Sequence, residues 1–386
     1  MFIYILTCLL IRFSASVQPK FQEQTIDNNI SIGYGLAIGD VDGDGRPDIL
    51  LADKKQFVWY RNGDWKRFVM IENLTEHDNV CIAAKDINGD GMVEVAVGAQ
   101  WNPSETTNPE QSGSVHYLVR PKDPTQLWKA IELPHEPTIH RMKWVRSSDG
   151  KYWLVVLPLR GRANQGGNGV GVKMIAYQFP DDVQKPWPTY TLDSSLHLTH
   201  NFDIVTRGNE NQNGLYIASK EGIRFLKNDF SKHKDSKTEK LPGIESGAGE
   251  VRVGKLSADK NFIATIEPMH GQELAVYLPG IDAKRILLDG NLKEGHALAV
   301  ADFEGSGTDQ IVAGWRVPNK DGKVGIKLFI KKDISGTTWE SQWIDENGMA
   351  CEDIQVSDLD GDGKPDIVAS GRATNNLKIY WNKSGK

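Results

Sequence analysis

Two groups of residues in this 386-residue chain have types and spacing suited to chemistry. The first is a set of carboxylates at alternate positions of short glycine turns. Asp40, Asp42, Asp44 and Asp48 form one such turn, Asp358, Asp360, Asp362 and Asp366 repeat it, and Asp86, Asn88, Asp90 and Glu94 vary it. Oxygen ligands at this density suit a hard cation, calcium or else magnesium. Asp302, Glu304 and Asp309 read as a weakened copy. For any single loop a metal-free polar turn is the alternative, but two full copies favour the ion. The second group is histidines near arginines: His77, His140 with Arg141, His200 with Asn201, His296, and also Arg160, Arg162, Asn164, His270, Arg316 and Arg372, with Trp101, Trp315, Glu267 and Glu352 nearby. Imidazoles titrate near neutrality and guanidinium groups bind carboxylates, so such a set suits proton transfer on an anionic substrate.

The elements that position both groups are repeats. GDVDGDGRPDILLA from Gly39, KDINGDGMVEVAVG from Lys85, ADFEGSGTDQIVAG from Ala301 and SDLDGDGKPDIVAS from Ser357 each read as strand, acidic turn, apolar strand. Three copies that have lost the carboxylates fill the gap: HRMKWVRSSDGKYWLVVLP, HNFDIVTRGNENQNGLYIAS and GEVRVGKLSADKNFIATIE. Units therefore begin near residues 34, 80, 141, 201, 249, 296 and 352. Spacings of this size, with several short strands per unit, indicate propeller blades, here seven. A third strand follows in each, from FVWY at Phe57 to LKIYW at Leu377, and a fourth in six of them, such as WKRFVMI at Trp65. The last unit lacks its fourth strand, and FQEQTID at Phe21 to Asp27 has that strand's pattern. The expected fold is an all-β seven-bladed β-propeller closed by its N-terminal strand, which leaves no open edge at the junction. A two-domain sandwich would not explain the displaced strand.

The first two strands of a blade are antiparallel, so the acidic turns lie on one face and the strand starts on the other. The histidine-bearing positions then converge on the mouth of one central funnel.

A net charge of -6 excludes general nucleic-acid binding, which needs basic excess. The segment MFIYILTCLLIRFSAS, with small residues Ser14, Ala15 and Ser16, predicts a signal peptide over 1–16 and one propeller domain over 17–386, exported to a periplasm or outside the cell. An N-terminal anchor is the alternative, but ten apolar residues before Arg12 are too few to span a bilayer, so no stable membrane insertion is expected. Cys81 and Cys351 read as small buried hydrophobes. The sequons at Asn29, Asn73 and Asn382 matter only in a eukaryotic secretory pathway. No G-x-S-x-G, Walker or H-E-x-x-H motif occurs, which disfavours serine hydrolase, nucleotide and zincin chemistry.

The acidic turns resemble FG-GAP or VCBS repeats, and that resemblance implies structural ions at the carboxylates just named. HEPTIHRMKW from His135, PLRGR from Pro158, LHLTHNFDI from Leu196, GHALAVADF from Gly295 and GMACEDI from Gly348 resemble single-domain propellers of the rhamnosyl-glucuronate lyase group and the propeller of aldos-2-ulose dehydratases. The large dehydratases carry cupin domains that this chain lacks. The resemblance implies β-elimination on a uronic-acid oligosaccharide, with water or a rhamnosyl group leaving from C4. His140 and His200 are then expected as base and acid, Arg162 and Arg316 as carboxylate clamps, and His77, Arg141, Asn201, His296 and Glu352 as binding residues, with a second divalent metal in the funnel as a further option. Two other readings stay open. A glycan-binding scaffold would have no need of the histidine ring, and a glycoside hydrolase would need a carboxyl pair, for which Glu352 and Glu267 are the candidates.

Overall fold

The computed structural model describes residues 18–206, 213–230, 238–244, 246–278 and 284–385. The leader expected at 1–16 lies outside them. Seven four-stranded antiparallel sheets form seven blades, six taking their strands in chain order and the seventh adding the N-terminal strand to the last three of the chain. Their innermost strands are Gly35–Gly39, Cys81–Lys85, Ile139–Arg146, Thr199–Val205, Glu250–Lys255, Gly295–Ala301 and Cys351–Ser357. Neighbouring innermost strands touch around the axis, the first closing on the seventh.

Second strands such as Asp48–Ala52 and Gln310–Trp315 are buried along their whole length. Neighbouring blades cover both their faces, which is why they read as unbroken apolar runs instead of alternating ones. The cores accordingly lie between blades: Leu50, Phe57 and Trp59 of blade 1 pack with Val95, Val97 and Leu118 of blade 2. Fourth strands are present in the six expected blades, although that of blade 4 is only Glu239–Lys240.

Phe21–Asp27 pairs with Asn376–Asn382, Phe21 opposite Asn382, so the N-terminus supplies the outer strand of blade 7. Phe21 also packs edge-on against Phe303 of blade 6, ring centroids 5.7 Å apart. Cys81 and Cys351 are free and buried. A Cβ at Gly98 would lie 2.6 Å from the Cys81 sulfur, so the thiol fills space that a glycine leaves. Asn382 is fully buried with its amide on the Phe303 carbonyl, which removes it as a glycan acceptor.

Candidate active site

The acidic turns close one end of the inner strand pairs. In blade 1, Asp40 accepts the N–H groups of Gly43 and Gly45, both at 2.7 Å, and Asp48 accepts those of Val41 and Asn62 at 2.8 Å. Gly43 and Gly45 have φ of 79° and 81°, a region that side chains disfavour. Blade 7 repeats this, with Asp358 on Gly361 and Gly363 and Asp366 on Leu359 and Asn382. Oxygens of Asp40, Asp42 and Asp48 lie within 4.8 Å of one another, as do those of Asp358, Asp360 and Asp366. Burial pushes Asp48 up to about 7 and Asp366 to about 6. Crowded, half-desolvated carboxylates with curled backbone fit a hard cation. Asp44 and Asp362 stand apart from these triads, turned to Arg46 and Lys364. In blade 2, Asp86 caps Gly89 and Gly91, Glu94 accepts from Ile87 and from the Asn88 amide, and Asp90 faces Arg120 at 3.3 Å.

Blade 6 departs from the expected copy. Its ninth position is Gln310: the Gln310 carbonyl accepts the Phe303 N–H at 2.7 Å and its amide donates to Glu304 and to the Thr308 carbonyl. Asp309 instead accepts the Lys255 N–H of blade 5. An amide N–H here serves the oxygens that a cation would otherwise serve.

At the opposite end, four of the innermost strands carry a β-bulge. Ile139 pairs with Pro158 and Arg141 with Leu157, which leaves His140 as the extra residue. The same shift falls between Thr199 and Phe202, between Gly295 and Ala297, and between Cys351 and Asp353. The displaced residues are therefore His140, His200 with Asn201, His296 and Glu352. Blades 1, 2 and 5 keep regular register at this point. A bulge bends the strand and re-aims a side chain, and here it aims the second residue of each affected strand inward to the funnel.

The imidazoles meet there. Ring centroids of His140 and His200 are 4.4 Å apart, His200 and His270 4.4 Å, and His270 and His296 4.7 Å, with Trp101 against His140 at 5.1 Å. Each ring is held from behind. His140 Nδ1 lies 2.8 Å from the His200 carbonyl and His296 Nδ1 2.5 Å from the Glu352 carbonyl. A carbonyl only accepts, so both Nδ1 atoms carry the proton and both Nε2 atoms present a lone pair. His200 Nδ1 lies 3.0 Å from Glu250, whose other oxygen takes the Asn201 amide at 2.8 Å and faces Arg252 at 3.2 Å. His270 Nδ1 receives Arg316, so its Nε2 donates to His200 Nε2, 2.6 Å away. Burial, reinforced by neighbouring positive charge, holds His140, His200 and His296 well below the ordinary histidine range, and it pulls His270 down to about 2. Nitrogens of His200, His270 and His296 all lie within 4.8 Å of one another, a set that fits a divalent cation accepting imidazole ligands.

The arginines divide sharply. Arg316 is held by Glu352 and Glu294, Arg372 by Glu352, and Arg162 by Glu136 at 2.9 Å and the Thr107 carbonyl. Among the described residues Arg162 makes no contact with the cluster, so the expected clamp is already neutralised by its own acid. His77 is fixed through its backbone N–H to Gln100, and it is Trp101 that its blade sends to the histidines. Arg141 donates only to His140, and Arg160 to the Pro103 carbonyl, so neither has a carboxylate partner among the described residues. Glu267 is consumed by Thr265, Tyr277 and Arg285, and Glu352 by two arginines, so neither of the two carboxyls expected as a glycosidase pair is free. Glu250, not among the residues expected from the sequence, opens the innermost strand of blade 5 without a bulge, and its carboxylate reaches back to His200 and Asn201 of blade 4. Beyond the cluster the axis continues as a cavity of about 440 Å³ lined by Arg141, Lys143, Asn201, Arg252 and Asp353.

Comparison with known proteins divides the chain in the same sense. Residues 112–279 match the family model of the aldos-2-ulose dehydratase β-propeller domain, and residues 21–97 match that of an FG-GAP-like repeat. The first segment contains His140, His200, Glu250 and His270, and the second contains the acidic turns of blades 1 and 2. Among solved structures, a chain of the mitotic checkpoint complex superposes with a TM-score of 0.57 at 11% identity, over 99% of this chain and 100% of that one. BBS1N in complex with ARL6DN, soaked with lead, gives 0.59 at 11% over 95% and 97%, and the WD40 β-propeller domain of Doa1 gives 0.54 at 8% over 93% and 97%. At these identities the likeness is one of fold alone. The chain is thus a seven-bladed β-propeller whose residues 112–279 are similar to the aldos-2-ulose dehydratase β-propeller domain and whose residues 21–97 are similar to an FG-GAP-like repeat.

Proposed function

We propose that the protein is a carbon–oxygen lyase that performs β-elimination on a uronic-acid-containing oligosaccharide. The observation that carries this reading is the funnel-mouth cluster of four desolvated imidazoles beside Arg141, a guanidinium without a carboxylate partner among the described residues. The dehydratase family match supports the same class of chemistry.

In such a reaction the uronate carboxylate pairs with Arg141, which lowers the acidity barrier at C5. Neutral His140, kept unprotonated by burial and with its Nε2 lone pair released as Arg141 turns to the carboxylate, takes the C5 proton. The electron pair left at C5 forms the C4–C5 double bond as the C4–O bond breaks. The departing oxygen takes the proton back from the imidazolium just formed, so the histidines end as they began. In glucuronate the C5 hydrogen and O4 share a side, which suits a single imidazole serving both steps. His200, His270 and His296 are the residues that would hold a divalent metal, whose charge would further stabilise the enolate-like carboxylate. Calcium, or magnesium, in the acidic turns of blades 1, 2 and 7 serves stability, and export to a periplasm or medium fits a glycan substrate.

Incubation with uronyl oligosaccharides, read by the absorbance of an unsaturated uronate, tests the reaction. Mass spectrometry of the products separates loss of water from release of rhamnose. No new chromophore on any uronyl substrate rejects the proposal.

A further inference from the structure

The charged groups around the funnel are held in different ways. On the side of blades 3 and 4, Glu136 holds both Arg162 and Lys173, Glu221 holds His197, and Arg160 is tied to the Pro103 carbonyl. On the side of blades 5 and 6 a groove of about 620 Å³ runs outward from His270, lined by Gln272, Leu292, Lys293, Glu294, Asn319 and Lys320. Its one lining acid, Glu294, is already paired with Arg316 at 2.9 Å. Lys293 and Lys320 are exposed, and among the described residues neither ammonium has an ion-pair partner. The groove therefore carries excess positive charge on a chain whose net charge is -6.

Its walls are braced in advance of any ligand. Arg316 and Val317 donate their N–H groups to the carbonyls of Glu294 and Lys293, which ties the two bordering loops together. The Asn291 amide bonds Asp321 at 2.7 Å, and Asn319 folds its own loop by accepting from Asp321 and Lys323. The two lysines are thus presented from loops that are hydrogen-bonded to each other, next to the most open imidazole of the cluster.

We propose that this groove is a subsite for a second anionic group, a carboxylate or sulfate ester on the sugar next to the uronate undergoing elimination. The substrate is then a polyanionic chain occupying at least two units, not a glycan with a single acid. The inference rests on the lyase reading but makes a separable claim about binding. Charge in an exposed groove acts mainly on encounter and binding, and it weakens with salt.

The test uses three oligosaccharides matched in length, whose unit beside the reactive uronate is neutral, uronic or sulfated, with the intact protein and its Lys293→Ala/Lys320→Ala variant. Expected is at least a tenfold rise in KM for one or both anionic substrates in the variant, with kcat held, no change for the neutral one, and recovery in Lys293→Arg/Lys320→Arg. Whether the carboxylate or the sulfate arm responds identifies the source. Calorimetric titration of the same compounds reads the groove even where no product forms. Lost anion-dependent binding without turnover keeps the subsite and rejects the lyase. Equal binding and equal KM in wild type and alanine variant, or no binding to wild type at all, overturns the subsite.

Discussion

The two ends of the inner strand pairs are built on opposite rules. At the acidic end the ladder runs regularly into a tight turn, and carboxylates serve the backbone: Asp48 and Asp366 each accept two main-chain N–H groups. At the histidine end the ladder is broken by bulges, and backbone serves the side chains: carbonyls of His200 and Glu352 fix the tautomers of His140 and His296. Blades 6 and 7 carry both devices on one strand. Only six residues separate Glu352 from Asp358, about 20 Å of extended chain. Spacing of that order isolates the groups that hold the ring from those that face the funnel, so each end can change without the other.

That separation is open to direct attack. The largest effect is expected at the histidine end: His140→Gln and His200→Gln should each slow elimination by about 10²–10⁴, with the calcium-saturated melting temperature close to wild type. A variant that loses its fold instead would show that the two ends are not separable. Next comes the acidic end. Chelation with EGTA should destabilise the wild type by about 3 kcal/mol for each occupied site if calcium was present at a hundredfold over its dissociation constant. Asp48→Asn/Asp366→Asn should remove the share of that response that comes from blades 1 and 7 while leaving kcat/KM intact, as read by thermal melts beside rate assays.

Smaller effects sharpen the contrast. Glu250 touches no substrate position but orients His200, so Glu250→Gln should cost roughly 10–100-fold in activity or in affinity for a probe cation such as cobalt. A fold change confined to melting temperature would reduce it to a packing residue. The smallest expected effect is in blade 6, where Gln310 supplies an amide N–H to Glu304. Gln310→Asp should lower stability without calcium and raise it with calcium, each by about 1 kcal/mol. A melt indifferent to calcium would show that this turn does not bind a cation.

The fold was legible because its signals are local. Alternation of apolar runs with acidic turns survives in blades 1, 2, 6 and 7, and the strand missing from the last blade was visible at Phe21 to Asp27. The histidine ring was legible for a related reason, since His140, His200 and His296 repeat at one blade position. Glu250 opens the strand of blade 5 with no histidine to mark it, and its role depends on a hydrogen bond to a histidine 50 residues earlier. His270 follows the end of a strand, and its turn, not its register, brings it to His200. Arg162 was expected as a clamp because its partner Glu136 lies in a different loop, 26 residues away. In blade 6 the frame slipped by one, as Asp309 looks like the ninth ligand beside Gln310 and only the turn's hydrogen bonds tell them apart.

The central claim, that the histidine end performs the chemistry and the acidic end only supports the ring, rests on one side-by-side assay. Wild type, His200→Gln and Asp48→Asn/Asp366→Asn are incubated with the same uronyl oligosaccharide below their melting temperatures, and the absorbance of the unsaturated uronate is followed. The prediction is a rising signal in wild type and in the aspartate variant, with none above background in the histidine variant. A signal that survives in His200→Gln, or that disappears with the turn carboxylates while the protein remains folded, would contradict it.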